Sequence, residues 1–320
     1  AEENKGLKVW YLQICTLIDK PLDKSKSLAA GSFSGGVSRF VAAPFDVLKI
    51  RFQVQIEPLA RAATSVPKYT GLGQAARTIL KEEGVKGFWR GNLTAEYLWI
   101  AFHGLNFFFY DQSKAVVSAA LSRPQTDSAV SFISGGIAGG IATVLSYPFD
   151  IIRTTLAAQG EPKVYHGIVD ASRGLYGRNG YAAFFQGLGP QIVQIVPYVG
   201  SNFAIYEAVK QQIIKGRLDQ RLSSDEALAA GVVSGSLSKF FVLPLDLVKK
   251  RIQVNGLERC QSYGQKEVYV GALDCMKRVY AREGLRGLYR GAVPSVLKSG
   301  LASGLSFALY NFSLSYLQDS

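Results

Sequence analysis

Cysteine is scarce in this 320-residue chain: Cys15, Cys260 and Cys275 form an odd set with no Cys-x-x-Cys. That excludes a disulfide framework and a zinc site, and fits a reducing compartment. Histidine is scarcer still, with only His103 and His166, neither of which has a ligand-spaced partner, so no metal is expected. The sequence contains no Gly-x-Ser-x-Gly, His-Glu-x-x-His, Gly-x-Gly-x-x-Gly or phosphate-loop pattern, and an enzyme is not expected. Acids are outnumbered, 24 Asp and Glu against 36 Lys and Arg, a net charge of +12. Such a surplus points to an anionic partner: nucleic acid, a phosphate-bearing metabolite or acidic lipid. Long apolar runs are missing too. No 18-residue uncharged apolar stretch occurs, so the simple rule for a membrane span finds nothing. Ala1-Glu2-Glu3-Asn4-Lys5 does not open a secretory signal, and residues 1–26 are expected to be a leader.

What is present is apolar and glycine-rich. Hydrophobic residues make up 48% and charged residues 19%, with a mean hydropathy of +0.11, too apolar for a disordered chain. Thirty-three glycines and 12% aromatics suit close-packed membrane helices better than a soluble enzyme.

One pattern occurs three times. Pro44-Phe45-Asp46-Val47-Leu48-Lys49, Pro148-Phe149-Asp150-Ile151-Ile152-Arg153 and Pro244-Leu245-Asp246-Leu247-Val248-Lys249 each read Pro-x-Asp-x-x-basic. Thirteen residues before each proline lies a Gly-x-x-x-Gly pair: Gly31/Gly35, Gly135/Gly139 and Gly231/Gly235. Such pairs are expected to let helix backbones approach closely. Downstream come Tyr69-x-Gly71, Tyr165-x-Gly167 and Tyr269-x-Gly271, then Trp89-Arg90-Gly91, Phe185-Gln186-Gly187 and Tyr289-Arg290-Gly291. Each copy closes on Tyr110-Asp111-x-x-Lys114, Tyr206-Glu207-x-x-Lys210 or Tyr310-Asn311-x-x-Leu314. Small and apolar residues dominate 28–48, 93–113, 128–152, 189–209, 227–248 and 293–317. Six stretches of about 20 residues match a hydrocarbon core, with their polar groups tolerable only where they face a bundle interior or wet cavity. The boundaries follow: a leader over 1–26, then repeats over 27–121, 127–221 and 223–320.

Each proline is expected to kink its helix, and the Asp and base that follow share one helical face, so three copies can close a ring. Charges inside spans and away from the ring are candidates for function. Arg39 and Lys239 lie five residues before their prolines, where the second repeat has Thr143. Lys298 lies twelve before Tyr310, and the matching positions are Leu98 and Gln194, followed by Trp99 and Ile195. Arg39, Lys239 and Lys298 thus read as a basic cluster without a nearby acid, a sink for a di- or triphosphate. Trp99, Tyr198, Asn106, Asn202 and Gln194 can stack on and hydrogen-bond a heteroaromatic ring. Glu96 either offsets a cationic ring or caps its span.

The threefold motif resembles the mitochondrial carrier family over residues 27–317. The resemblance implies an all-α membrane protein: six transmembrane helices in three pseudo-symmetric two-helix repeats around a central cavity, each repeat with a short matrix-side amphipathic helix. It also implies a monomer in the mitochondrial inner membrane, with both termini toward the intermembrane space. The implied matrix gate pairs Asp46 with Arg153, Asp150 with Lys249 and Asp246 with Lys49, braced by Gln53 and Gln253. The implied cytoplasmic gate uses Tyr110, Asp111, Lys114, Tyr206, Glu207, Lys210, Tyr310 and Asn311, reduced to Asp111 with Lys210 and an Asn311 to Lys114 hydrogen bond. The empty protein is expected to be closed on the matrix side. Cardiolipin is implied at Gly71, Gly167 and Gly271 and around Trp89, Arg90, Gly91, Gly187, Arg290 and Gly291, where helix N-termini favour phosphate.

Within that family the segments Pro44 to Gln53, Ala157 to Tyr165 and Pro244 to Arg251 resemble carriers of thiamine pyrophosphate. That implies exchange of this substrate, with nucleotides or thiamine monophosphate as counter-substrate. Adenine nucleotide, coenzyme A or another phosphorylated metabolite is the alternative cargo, and a nucleic-acid binder or scaffold is the alternative outside the class.

Overall fold

The computed structural model describes residues 24–55, 68–215, 222–257 and 268–319, and every regular element among them is helical. The leader expected over 1–26 lies outside the described residues except for its last three, which open the first helix. Ten α-helices follow in chain order among the described residues. They are α1 Lys24–Val54, α2 Leu72–Glu83, α3 Asn92–Leu121, α4 Ser128–Ala158, α5 Ile168–Asn179, α6 Leu188–Ile214, α7 Ser224–Phe241, α8 Leu243–Gln253, α9 Ala272–Leu288 and α10 Ala292–Asp319. Helix starts are set locally. Asp127 caps α4 by accepting from the Ala129 N–H at 2.7 Å, and Ser223 with Glu226 forms a reciprocal capping box on α7.

The prolines act unequally. Pro44 and Pro148 lie inside unbroken helices, whereas at Pro244 the helix is divided and the axes of α7 and α8 differ by 60°. The third proline therefore marks a break in the helix, while the first two helices run on through theirs. In the first repeat the carbonyl that Pro44 leaves without a donor, that of Phe40, accepts from the Trp89 indole N–H at 3.0 Å. The second repeat has Phe185 at that position, which cannot donate.

Helix α3 packs along α4, α6 along α7, and α10 along α1, so the last repeat closes onto the first. The buried contact stripe is serine and alanine in register: Ser34, Ala138 and Ser234, then Ser38, Ala142 and Ser238. The hydroxyls stay satisfied inside the helix; Ser38 donates to the Ser34 carbonyl and Ser238 to the Ser234 carbonyl, both at 2.6 Å. The Gly-x-x-x-Gly reading needs correction here. A Cβ on Gly139 or Gly235 would meet nothing within 4 Å, and one on Gly35 would meet only the Trp99 ring at 3.6 Å.

Helices α1, α4 and α8 converge at their C-terminal ends, where the main apolar core forms from Val47, Ile50, Ile79, Ile151 and Leu175. Each exit is tied by an amide. The side chains of Gln55, Gln159 and Asn255 exchange two hydrogen bonds with the backbone N–H and carbonyl of Tyr69, Tyr165 and Tyr269. Away from this end the helices expose apolar side chains, among them Ile100, Phe107, Val193, Val196 and Phe241. An outer surface so apolar suits lipid rather than water. Against the expectation that no stretch would pass the simple rule, residues Ala129–Ala158 qualify as a span by length and apolarity alone, because residues 128–149 carry no charge, and the bent pair Glu226–Phe241 and Leu243–Gln253 qualifies if taken as one.

Gly91, Gly187 and Gly291 precede α3, α6 and α10 with φ of 78°, 88° and 81°. A Cβ there would lie 2.7 Å from the Arg153 carbonyl, 3.2 Å from that of Lys249 and 3.2 Å from that of Lys49. The second long helix of each repeat, here called even (α3, α6 and α10), therefore starts where only glycine lets it abut the first, or odd, helix of the next repeat. Gly291→Val is expected to cost about 2–5 kcal/mol through left-handed strain and overpacking, read as a lowered unfolding temperature in detergent. Gly271→Ala, at extended backbone with open space, should leave that temperature unchanged. Burial pushes the Cys275 thiol up to about 12. With Cys15 and Cys260 changed to serine, maleimide at neutral pH should label the protein only after unfolding.

Candidate functional site

The acids that follow the prolines meet bases from neighbouring repeats. Arg153 Nη2 lies 2.5 Å from Asp46 Oδ2, Lys249 Nζ 2.7 Å from Asp150 Oδ2, and Lys49 Nζ 2.7 Å from Asp246 Oδ2. The side chains of the last two pairs are between 6% and 11% exposed, and those of the first 13% and 18%. Gln53 Nε2 donates to Asp246 at 3.0 Å and Gln253 Nε2 to Asp150 at 2.7 Å; the second repeat has Ala157 instead. Such pairs gain about 4 kcal/mol at 4 Å in an effective dielectric of about 20, but desolvation returns much of it. Losing one partner costs about 3–5 kcal/mol. The ring is thus a latch that holds only while all its members are present.

The remaining carboxylate oxygens correct the sequence reading. Lys298 Nζ is 2.6 Å from Asp46 Oδ1 and Lys239 Nζ is 3.5 Å from Asp246 Oδ1. Both cations have an acid at hand, because the ring acids lie within reach of flexible lysine stems. The third acid, Asp150, has Lys250 at 3.3 Å on its Oδ1. Three acids therefore face six cations.

Arg39 differs from the two lysines. Its guanidinium lies 5.3 Å from the Trp99 ring centroid, and its buried Nη1 has no hydrogen-bond partner. His103 packs against the same indole, its ring centroid 4.7 Å from that of Trp99. Buried oxygens of Glu96, Gln194 and Asn202 are also without partners. Such atoms are costly unless water or a ligand satisfies them. Tyr198 lies beside Lys239 at 5.8 Å. Leu98, Ile195 and Asn106 are half-buried.

At the opposite end Asp111 and Lys210 are not paired with each other. Lys210 bonds Glu207 on its own helix at 3.5 Å, Asp111 is exposed, and Lys114 lies over the Tyr110 ring at 5.5 Å. Among the described residues no ion pair joins two helices there. Tyr206 lies on α6, one residue before Glu207, and the side chains of Tyr310 and Asn311 lie outside what the structure describes.

The periphery brings a further correction. Arg90 is engaged by Glu83 at 2.8 Å, by Glu161 and by the Gly160 carbonyl; Arg290 by Glu283 and the Gln55 carbonyl, both at 3.2 Å. Neither points its charge at lipid, because a buried acid on the short helix before it, Glu83 on α2 or Glu283 on α9, claims it. Trp89, Gly91, Gly187 and Gly291 have the packing roles described above. Gly71, Gly167 and Gly271 begin α2, α5 and α9 without a side-chain cap.

Several residues escaped the motif reading. Arg51 joins Glu83 to the carbonyls of Ala157 and Gln159, and Arg251 joins Glu283 to those of Gln53 and Gln55. The signal was present, since each lies two residues beyond the ring base. The second repeat has Thr155 there, its buried hydroxyl without a partner. Lys250 had no counterpart in the other repeats, where Ile50 and Thr154 stand, so repetition could not find it.

A family model described as mitochondrial carrier protein matches residues 20–120, 124–217 and 220–320. The chain is 39% identical over 307 residues to mitochondrial thiamine diphosphate carrier 1 of Zea mays, covering 88% of this chain and 91% of that protein. It is 39% identical over 295 residues to the mitochondrial thiamine pyrophosphate carrier of Homo sapiens, covering 90% and 91%. For mitochondrial thiamine pyrophosphate carrier 1 of Aspergillus niger the identity is 38% over 296 residues, covering 91% of each. Three matched segments spanning nearly the whole chain leave one conclusion: this chain belongs to the mitochondrial carrier family and is a transporter.

Proposed function

We propose that the chain exchanges thiamine pyrophosphate across the mitochondrial inner membrane by alternating access. The observation that carries this reading is the cationic floor made by Lys239 and Lys298 at the ring acids, with the Trp99-stacked Arg39 nearby. A diphosphate suits the two lysines, and a flat heterocycle suits Trp99 or Tyr198. Glu96, with an unpartnered buried oxygen, suits the cationic thiazolium. The similarity to relatives named for this substrate supports the same cargo over other phosphorylated metabolites.

The six long helical segments serve as spans of three related repeats, their apolar outer faces toward lipid and both termini toward the intermembrane space. The Asp46, Asp150 and Asp246 ring is the matrix gate. Asp111 and Lys210 form the opposite gate when the carrier turns over, so the empty protein is open outward. Cardiolipin headgroups sit at the uncapped N-termini of α2, α5 and α9, and the protein works as a monomer.

Reconstituted in liposomes, the protein should exchange labelled thiamine pyrophosphate. Lys298→Ala should lower kcat/KM at least about tenfold, the effect of losing one charged contact, with the helical content retained by circular dichroism. Robust nucleotide exchange without thiamine pyrophosphate uptake would move the cargo to nucleotides. In a cysteine-free background, Asp111→Cys with Lys210→Cys should crosslink only during turnover. Crosslinking in the empty protein would reverse the assigned resting state.

A further inference from the structure

The three ring acids share one arrangement. In each, Oδ2 takes the base from the neighbouring repeat, and Oδ1 takes a second cation: Lys298 on Asp46, Lys250 on Asp150 and Lys239 on Asp246. The second cations are not equivalent. Lys250 is sealed, its side chain 7% exposed and donating to Thr154 Oγ1 at 2.7 Å and Gln253 Oε1 at 2.9 Å. Lys298 and Lys239 are 30% and 20% exposed, and each has its ring acid as its one ion-pair partner among the described residues. They are also electrostatic neighbours of each other and of Lys49.

We infer that Lys298 and Lys239 are exchangeable cations: each reinforces a gate carboxylate in the empty protein and leaves it for the phosphates of the substrate. This rests on the substrate reading above and adds the link between binding and opening. A diphosphate that draws both lysines upward strips two of the three acids of their second cation while Lys250 keeps the third, so the ring loosens without coming apart. A ligand with one phosphate engages one lysine and loosens one acid. Selection for a diphosphate is then a property of the gate as well as of the cavity, since binding energy is spent on removing a gate contact.

Gate acid and ligand thus compete for the same ammonium, which a double-mutant cycle reads directly. The probes are inorganic pyrophosphate and, separately, thiamine pyrophosphate, with Kd measured by calorimetry on detergent-purified full chain. Asp46→Asn frees Lys298 and should tighten pyrophosphate binding by about fivefold or more, and the gain should vanish in a Lys298→Gln background. The cycle of Asp246→Asn with Lys239→Gln should behave alike, and it decides the matter if the Asp46 variant fails to fold. Equal Kd with and without the acid, or a gain that survives loss of the lysine, overturns the inference. If the unaltered protein binds pyrophosphate but not thiamine pyrophosphate, the substrate reading fails while the cycle still stands. If it binds neither, both fall.

Discussion

Three carboxylate to cation contacts between neighbouring repeats hold this structure closed at one end. Asp46, Asp150 and Asp246 each follow a proline by two residues, so one local motif delivers the same acid to the same height on three helices. The base three residues on lies on the same face but reaches across to the next repeat. Neither repeat half is a closed unit by itself. Each even helix begins on a left-handed glycine pressed against the carbonyl of the next repeat's base, so backbone packing and charge pairing locate the same point. A ring of partly buried pairs is strong when complete and weak when one member leaves. That is the behaviour a gate requires.

The outer fastening is uneven. Arg51 and Arg251, with their glutamates, stitch the first repeat to the second and the third to the first through backbone carbonyls. The seam between the second and third repeats has Thr155 where these arginines would be, and there Arg178 reaches across to the Asn255 carbonyl, at 3.1 Å. The same seam carries Lys250 on the inside, bonded to Asp150, Thr154 and Gln253. An inner tie stands where an outer one is missing. Redistribution of this kind keeps a threefold ring closed although the three sequences differ.

Repetition made the fold legible. Proline, acid and base in identical register told where helices converge, and the aromatic-x-Gly triplets told where even helices start. What repetition could not tell was which member of a motif touches what. Gly35, Gly139 and Gly235 looked like the helix contact, yet a serine and alanine stripe three residues further round is what packs, because Gly139 and Gly235 face open space and Gly35 meets only the Trp99 ring. Arg90 and Arg290 looked like headgroup ligands, but Glu83 and Glu283, distant in sequence from the ring, reach them first. Lys239 and Lys298 stood out in the sequence as charges deep within their helices. That the ring acids hold them was not legible, because side-chain reach across a narrow cone depends on three helices at once.

The central claim is that the empty carrier is sealed by the ring and that substrate unseals it. His103 is exposed and in ring contact with Trp99, so it reports on the space beside the site. The direct measurement is labelling of a His103→Cys variant, otherwise free of cysteine, in oriented liposomes with a membrane-impermeant thiol reagent applied from one side at a time. Without substrate, labelling is expected only from the side away from the prolines, and with thiamine pyrophosphate on both sides it is expected from either. Labelling of the empty protein from the proline side, or a pattern that substrate leaves unchanged, would contradict the account.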